Sequence, residues 1–317
     1  MRTIPYTCSI NALGTEINQL VYGINAEPAA RQVNNELLRL DSMWSPAIPD
    51  NMVYAINASA GGQPVSVDKD TSETLTRARQ LGELTSGAFD VTVEPLIRVW
   101  QDNLSQGECP GQRELLQARL LVDFRDLCVS GCQVSLPREG QGITLGGIAK
   151  GFAAERVRYV YADHGIRYGL VNMGGHVLAF NTKHDGSFWK VGIANPFSFE
   201  NEIIGYVEVA SCSVATSGQY RQPGHIIDPR TGLQAASDVA CITIVTPRSV
   251  DGDALATAVV VLGMDTGLSI CCSLPEIEFV AVDKQGVVHV SPGLVPRWRG
   301  LSNSITKVHR KEKKYGF

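Results

Sequence analysis

Gly146-Gly147-Ile148-Ala149-Lys150-Gly151-Phe152-Ala153-Ala154-Glu155-Arg156-Val157 decides the fold class, because it opens a long helix after which strands dominate. That helix is expected to close near His164-Gly165, with strand-like runs following at 167–180, 188–194, 203–210, 239–246, 277–283 and 286–291. Upstream, Ala29, Val33, Leu37 and Leu40 recur at helical spacing over 26–40, and Pro28 suits a first turn. The same period runs over 71–85 (Leu75, Ala78, Leu81, Leu84), with Asp70 or Thr71 as cap and Glu73 in the first turn. A shorter helix is expected near 112–120. A further helix carries Asp253 and Thr257, lies between two strands and closes at Gly263. Helices and strands therefore mix without regular alternation, which favours α+β with antiparallel sheet over a doubly wound fold.

A chain of 317 residues has room for one large domain or two modest ones with an ample core. Its net charge of -4 gives no reason to expect a nucleic-acid partner or general membrane attraction. No apolar run spans a bilayer and the first residues lack the apolar stretch of a signal peptide. With Met1 as the native start, a cytoplasmic protein is expected. The eight cysteines are scattered without C-x-x-C or zinc-type spacing, and read as core residues or idle thiols. No disulfide is expected between Cys128 and Cys132. The basic run Lys307–Lys314 reads as a solvated tail.

Chemistry concentrates between Thr216 and Thr257. Asp253 and Thr257 are one helical turn apart and can aim two oxygens at one spot, a pair that suits a hard cation such as Mg2+. Equally, Asp253 could complement a helix N-terminus and Thr257 could bond back to a carbonyl, with Asp251 competing as cap. In His225-Ile-Ile-Asp228-Pro229-Arg230-Thr231-Gly232, Asp before Pro and the late Gly suit a tight turn, which would be purely architectural. His225 beside that turn would have a fixed imidazole, suited to a general base or to a structural role.

Gly146–Gly151 precedes a helix whose N–H groups could face phosphate, with Lys150 as a point charge. It matches neither the Walker A nor the Gly-x-Gly-x-x-Gly pattern. Asn172-Met-Gly-Gly175 and Thr216-Ser217-Gly218 are equally at home as strand ends or bulges. Ser86-Gly87 reads as the end of a helix. Read by pattern alone, the chain offers a phosphate and a metal and no named substrate.

Taken in order, the motifs resemble the ApbE family, the FAD:protein FMN transferases. The pieces that carry the resemblance are Ala12-Leu-Gly-Thr15, Ser86-Gly-Ala-Phe-Asp-Val-Thr92, Gly146-Gly-Ile-Ala-Lys-Gly151, Val171-Asn-Met-Gly-Gly175, Ala215-Thr-Ser-Gly218, His225–Gly232 and Asp253–Thr257. The resemblance implies one α+β unit of the T-fold type over 1–303, with antiparallel sheets flanked by helices, FAD in a cleft between two subregions, and a basic tail at 304–317. It implies Mg2+-dependent transfer of FMN from FAD to a threonine or serine hydroxyl of a partner flavoprotein, releasing AMP. Rival expectations are an FAD pyrophosphatase and a non-enzymatic FAD-binding module.

Carried over residue by residue, the resemblance assigns the metal to Asp253, Thr257 and the carbonyl of Gly147. It assigns acceptor deprotonation to His225, with Asp228 orienting it and Lys150 adding charge at the phosphates. FAD contacts fall on Leu13, Asn57, Phe89, Asp90, Thr92, Lys150, Gly174, Gly175, Thr216, Ser217, Gly218 and His225. The sequence departs from the family's pattern along 42–57, at His176 where an acidic residue commonly follows Gly-Gly, at Glu155 in place of aspartate, and at Gly252 in place of alanine.

Overall fold

A computed structural model describes residues 5–46, 48–198, 200, 202–219, 224–301 and 305–309. Its architecture is α+β, as the mixed element order predicts. Among the described residues nine strands form the main sheet, in the spatial order Tyr6–Ala12, Thr15–Tyr22, Tyr168–Met173, His176–Phe180, Ser213–Gly218, Val239–Thr246, Glu278–Asp283, Val288–Val290 and Thr306–Val308. Every neighbouring pair is antiparallel except the last, where Thr306–Val308 runs parallel to Val288–Val290. That edge strand lies within the stretch read as a basic tail, and 310–317 lie outside the described residues.

Alternation along these strands sorts their side chains onto two faces. Ile17, Val21, Val171, Leu178, Phe180, Ile242, Ile244 and Phe279 pack beneath the helices Ala26–Trp44, Ala149–Asp163, Ser249–Leu262 and Met264–Ser273. Val177, Ala179, Val214, Cys241, Val245, Val280 and Val282 face the other way, against a small antiparallel sheet of Trp189–Ala194, Ile203–Val209 and Trp298–Gly300. A helix on one face and a sheet on the other give the molecule its layers.

The expected helices form at Ala26–Trp44, Lys69–Leu84, Gln112–Arg119, Ala149–Asp163 and Ser249–Leu262. Neither Asp70 nor Thr71 caps the second of these. Asp68 does, accepting the Thr71 N–H at 3.0 Å from an extended backbone, while Asp70 pairs with Arg39. The run 167–180 is two strands, because Gly174 and Gly175 (φ 62° and 99°) fold it into a two-residue hairpin. The hairpin Tyr6–Ala12/Thr15–Tyr22 and the helices Met52–Ala58, Glu94–Ser105 and Met264–Ser273 are additional to the expected set. None of the eight cysteines forms a disulfide within the described residues, Cys128 and Cys132 included. Among the described residues no helix is long and apolar enough to cross a membrane.

Candidate active site

Two tight turns at the end of the sheet begin the site. Leu13-Gly14 joins the first two strands with φ of 52° and 72°. A leucine in that conformation is strained, and the Leu13 N–H is held by donation to Asp41 Oδ1 at 2.9 Å. Gly174-Gly175 makes the equivalent turn two strands on, with Gly175 N–H donating to Asn172 Oδ1 at 3.0 Å. A Cβ at Gly174 would collide with Thr15. Both turns border a cleft of about 1050 Å³.

The helical wall of this cleft is built from two helix starts packed together. A Cβ at Gly151 would lie 2.6 Å from Ser249 O and 2.9 Å from Asp253 Cβ, so only glycine permits the approach. Gly151 N–H donates to Asp253 Oδ2 at 2.9 Å, and Val250 N–H donates to Glu155 Oε1 at 3.2 Å. Each helix therefore supplies a carboxylate to the other's first turn. Lys150 Nζ stands 4.0 Å from Asp253 Oδ1 and His176 Nδ1 stands 3.6 Å from it. Burial pushes the Asp253 carboxyl up, but Lys150, His176 and the Gly151 N–H together outweigh it and hold the group well below the usual carboxylate range.

Gly147, Lys150, Asp253 and Thr257 all border the cleft. Gly147 is pressed between Phe89 and Thr257: a Cβ there would sit 3.1 Å from the Phe89 ring and 3.5 Å from Thr257 Oγ1. The Thr257 hydroxyl donates weakly to Asp253 O at 3.4 Å, the back-bonding that the helical spacing allowed. One carboxylate, one hydroxyl and backbone carbonyls are hard oxygen donors, few in number. Such a set fits Mg2+, which keeps waters and shares substrate phosphates. Among the described residues no group of three or more His, Cys, Asp or Glu side chains is gathered as for a metal ion.

His225 borders the same cleft, as do Thr216, Ser217 and Gly218. The loop beyond His225 is pinned on several sides. Asp228 N–H donates to Leu233 O at 2.8 Å, Gly232 N–H to Asp228 O at 2.8 Å and Trp100 Nε1–H to Gly232 O at 2.9 Å. Arg119 reaches Arg230 O from the neighbouring helix. Asp228 does not line the cleft; its carboxylate accepts three hydrogen bonds from Arg230, each at 2.9 Å. In the structure it closes the loop on Arg230.

The remaining expected FAD contacts divide. Leu13, Phe89, Asp90, Gly174 and Gly175 line the cleft. Asp90 is only 6% exposed, and both its oxygens are used inside the protein, by Thr92 N–H and Oγ1–H and by Phe124 N–H. Burial raises its carboxyl to about 6. Thr92 is fully buried and Asn57 binds the Ile143 backbone twice, at 3.0 and 2.7 Å, so neither reaches the cleft. Asn57 braces Ile143 in the segment that leads into Gly146 and Gly147, while Thr92 ties Asp90 to the Asp123 backbone. Pattern reading did not assign to the site Lys190, which enters from the small sheet, or His176, which faces Asp253. For His176 the signal was strand parity, since it shares a face with Leu178 and Phe180.

Known proteins resemble this chain in sequence and in fold. The sequence model of the ApbE family matches residues 13–281. Over 298 residues the chain is 32% identical to the FAD:protein FMN transferase of Treponema pallidum, with 86% of this chain and 82% of that protein aligned. It is 27% identical to the enzyme of the same name from Klebsiella pneumoniae, over 88% and 89% of the two chains. Among solved structures it superposes on the ApbE protein of Thermotoga maritima with a TM-score of 0.85 at 28% identity, covering 93% of this chain and 100% of that one. The flavin transferase ApbE from Vibrio cholerae gives 0.83 at 25% identity, covering 93% and 99%.

Proposed function

This chain belongs to the ApbE family, and on that footing we propose that it transfers FMN from FAD to a threonine or serine hydroxyl of a partner flavoprotein, releasing AMP. One observation carries the reading: a buried, ionised carboxylate (Asp253), an ammonium (Lys150), a hydroxyl (Thr257) and an imidazole (His225) border a single cleft. Transfer of this kind demands alignment of nucleophile and leaving group and neutralisation of charge, with little covalent work for the protein.

In this reading the acceptor hydroxyl oxygen attacks the phosphorus on the FMN side of the diphosphate. The new P–O bond forms as the bond to the AMP phosphate breaks, and AMP leaves with that electron pair. His225 takes the hydroxyl proton, and the pinned loop holds its ring toward the cleft. Lys150 offers positive charge to the phosphates. Asp253, Thr257 and the Gly147 carbonyl would hold Mg2+, which when bound supplies charge neutralisation at the diphosphate. The Leu13-Gly14 and Gly174-Gly175 turns and the Thr216–Gly218 strand end would seat the dinucleotide.

Product analysis tests the reading. The protein is incubated with FAD, Mg2+ and an acceptor flavoprotein domain, and the products are separated after denaturation. Flavin fluorescence that stays with the acceptor band, with AMP in solution, is expected. Free FMN and AMP without labelled acceptor would replace this reading with hydrolysis, and FAD recovered intact would leave a binding module.

A further inference from the structure

His176 is buried to 2% exposure at the start of its strand, directly after the Gly174-Gly175 turn. Its Nε2 lies 2.7 Å from the Oγ of fully buried Ser213 on the adjoining strand. Its Nδ1 is buried without a hydrogen-bond partner and faces Asp253 Oδ1 across 3.6 Å, beyond bonding range. A buried polar nitrogen left unpaired is costly, so the position calls for a reason.

The surroundings of Asp253 supply one. Its Oδ2 is fixed by the Gly151 N–H, whereas Oδ1 stands between Lys150 Nζ at 4.0 Å and His176 Nδ1 at 3.6 Å. The carboxylate torsion is broad, so a small rotation brings Oδ1 onto either nitrogen. A carboxylate at position 176 would have repelled Asp253 or competed for the cation; an imidazole does neither.

We propose that His176 is a positioning residue for Asp253. The Ser213 hydroxyl donates to Nε2, which fixes the proton on Nδ1, and the Nδ1–H holds Oδ1 in the orientation that receives the divalent cation. Orientation of ligands by such partners is worth one to two orders of magnitude in metal affinity in other sites. The proposal rests on the reading of Asp253 as a cation ligand.

Direct binding of Mn2+, followed by its electron paramagnetic resonance signal in the full chain without FAD, tests both at once. His176→Leu should weaken Mn2+ binding about tenfold. His176→Asn, whose amide N–H occupies the Nδ1 position, should stay within about threefold of the wild type. Wild-type affinity in the Leu variant overturns the proposal, and so does an equal loss in both variants, which would mean that the ring itself ligates or merely packs. Asp253→Asn separates the underlying reading: unchanged Mn2+ binding there removes the cation site and the proposal with it. A measurement on the unaltered chain guards against misfolded variants. With 15N-labelled histidine, the His176 resonance should report the Nδ1–H tautomer, and the Nε2–H tautomer would overturn the assignment.

Discussion

Oδ2 of Asp253 accepts the backbone N–H of Gly151 at 2.9 Å, so a carboxylate on one helix caps the start of another. Glu155 returns the contact by accepting Val250 N–H at 3.2 Å. The pairing locks the Gly146–Gly151 turn to the Ser249–Leu262 helix and fixes which Asp253 oxygen remains for the cleft.

Replacing Asp253 by Asn keeps an acceptor for Gly151 and removes the charge. Transfer should fall roughly a hundredfold or more, the equivalent of a few kcal/mol of lost charge stabilisation, and added Mg2+ should not restore it. Turnover rates against Mg2+ concentration check this, and unchanged turnover contradicts the metal assignment.

The glycine at 151 is set by contact with backbone. Gly151→Ala would bring Cβ to 2.6 Å from Ser249 O and 2.7 Å from Val250 Cα. A cost of about 1–3 kcal/mol is expected, visible as a lower melting temperature by calorimetry, together with a loss of activity as the two helix starts move apart. An unshifted melting temperature would mean that the helices separate freely.

Asp228 and Arg230 should behave as one unit. If Asp228 acts by closing the loop through Arg230, Asp228→Ala and Arg230→Ala should lower turnover by similar factors, and the double variant should add little. A silent Arg230→Ala beside a damaged Asp228→Ala would show instead that Asp228 acts on His225 directly.

Asp90 gives a pH dependence. Burial raises its carboxyl from 3.8 to about 6 in the folded chain, so the folded state holds this proton more tightly than the unfolded one. The linkage favours folding at low pH and is lost as pH rises from about 4 through 6. Across that window the wild type should lose about 3 kcal/mol relative to Asp90→Asn. Chemical denaturation of both proteins at a series of pH values measures it; a constant difference would mean that Asp90 titrates normally.

The sequence made some parts of this molecule readable and left others closed. Helices with a one-sided apolar stripe, such as Ala26–Trp44 and Lys69–Leu84, announced themselves by period. Glu94–Ser105 did not, because only its first turn is buried, at Pro95 and Leu96. The hairpin at 6–22 was hidden by Leu13, a residue not expected at positive φ, whose strain is compensated through Asp41, distant in sequence. Gly147, Asp253 and Thr257 could be grouped from motif order, since two are one helical turn apart. The assignment of Asn57 and Thr92 to FAD followed from motif membership, yet their side chains turn to Ile143, Asp90 and Asp123. Motif spacing says which segments gather at a site, and only packing says which side chain faces it. His176 makes the same point from the other side: its partner lies 77 positions away, a contact no local pattern encodes.

His225 and Asp253 border one cleft, and the proposal is that His225 takes the proton of a protein hydroxyl there as that hydroxyl accepts FMN from FAD. Mass spectrometry of an acceptor domain after incubation with the enzyme, FAD and Mg2+ tests it most directly. The account predicts an adduct of FMN less one water on a single threonine or serine, absent from an acceptor lacking that hydroxyl. The adduct should also be absent with His225→Ala, although that variant still binds FAD. An unmodified acceptor alongside stoichiometric free FMN, or full labelling by His225→Ala, would contradict it.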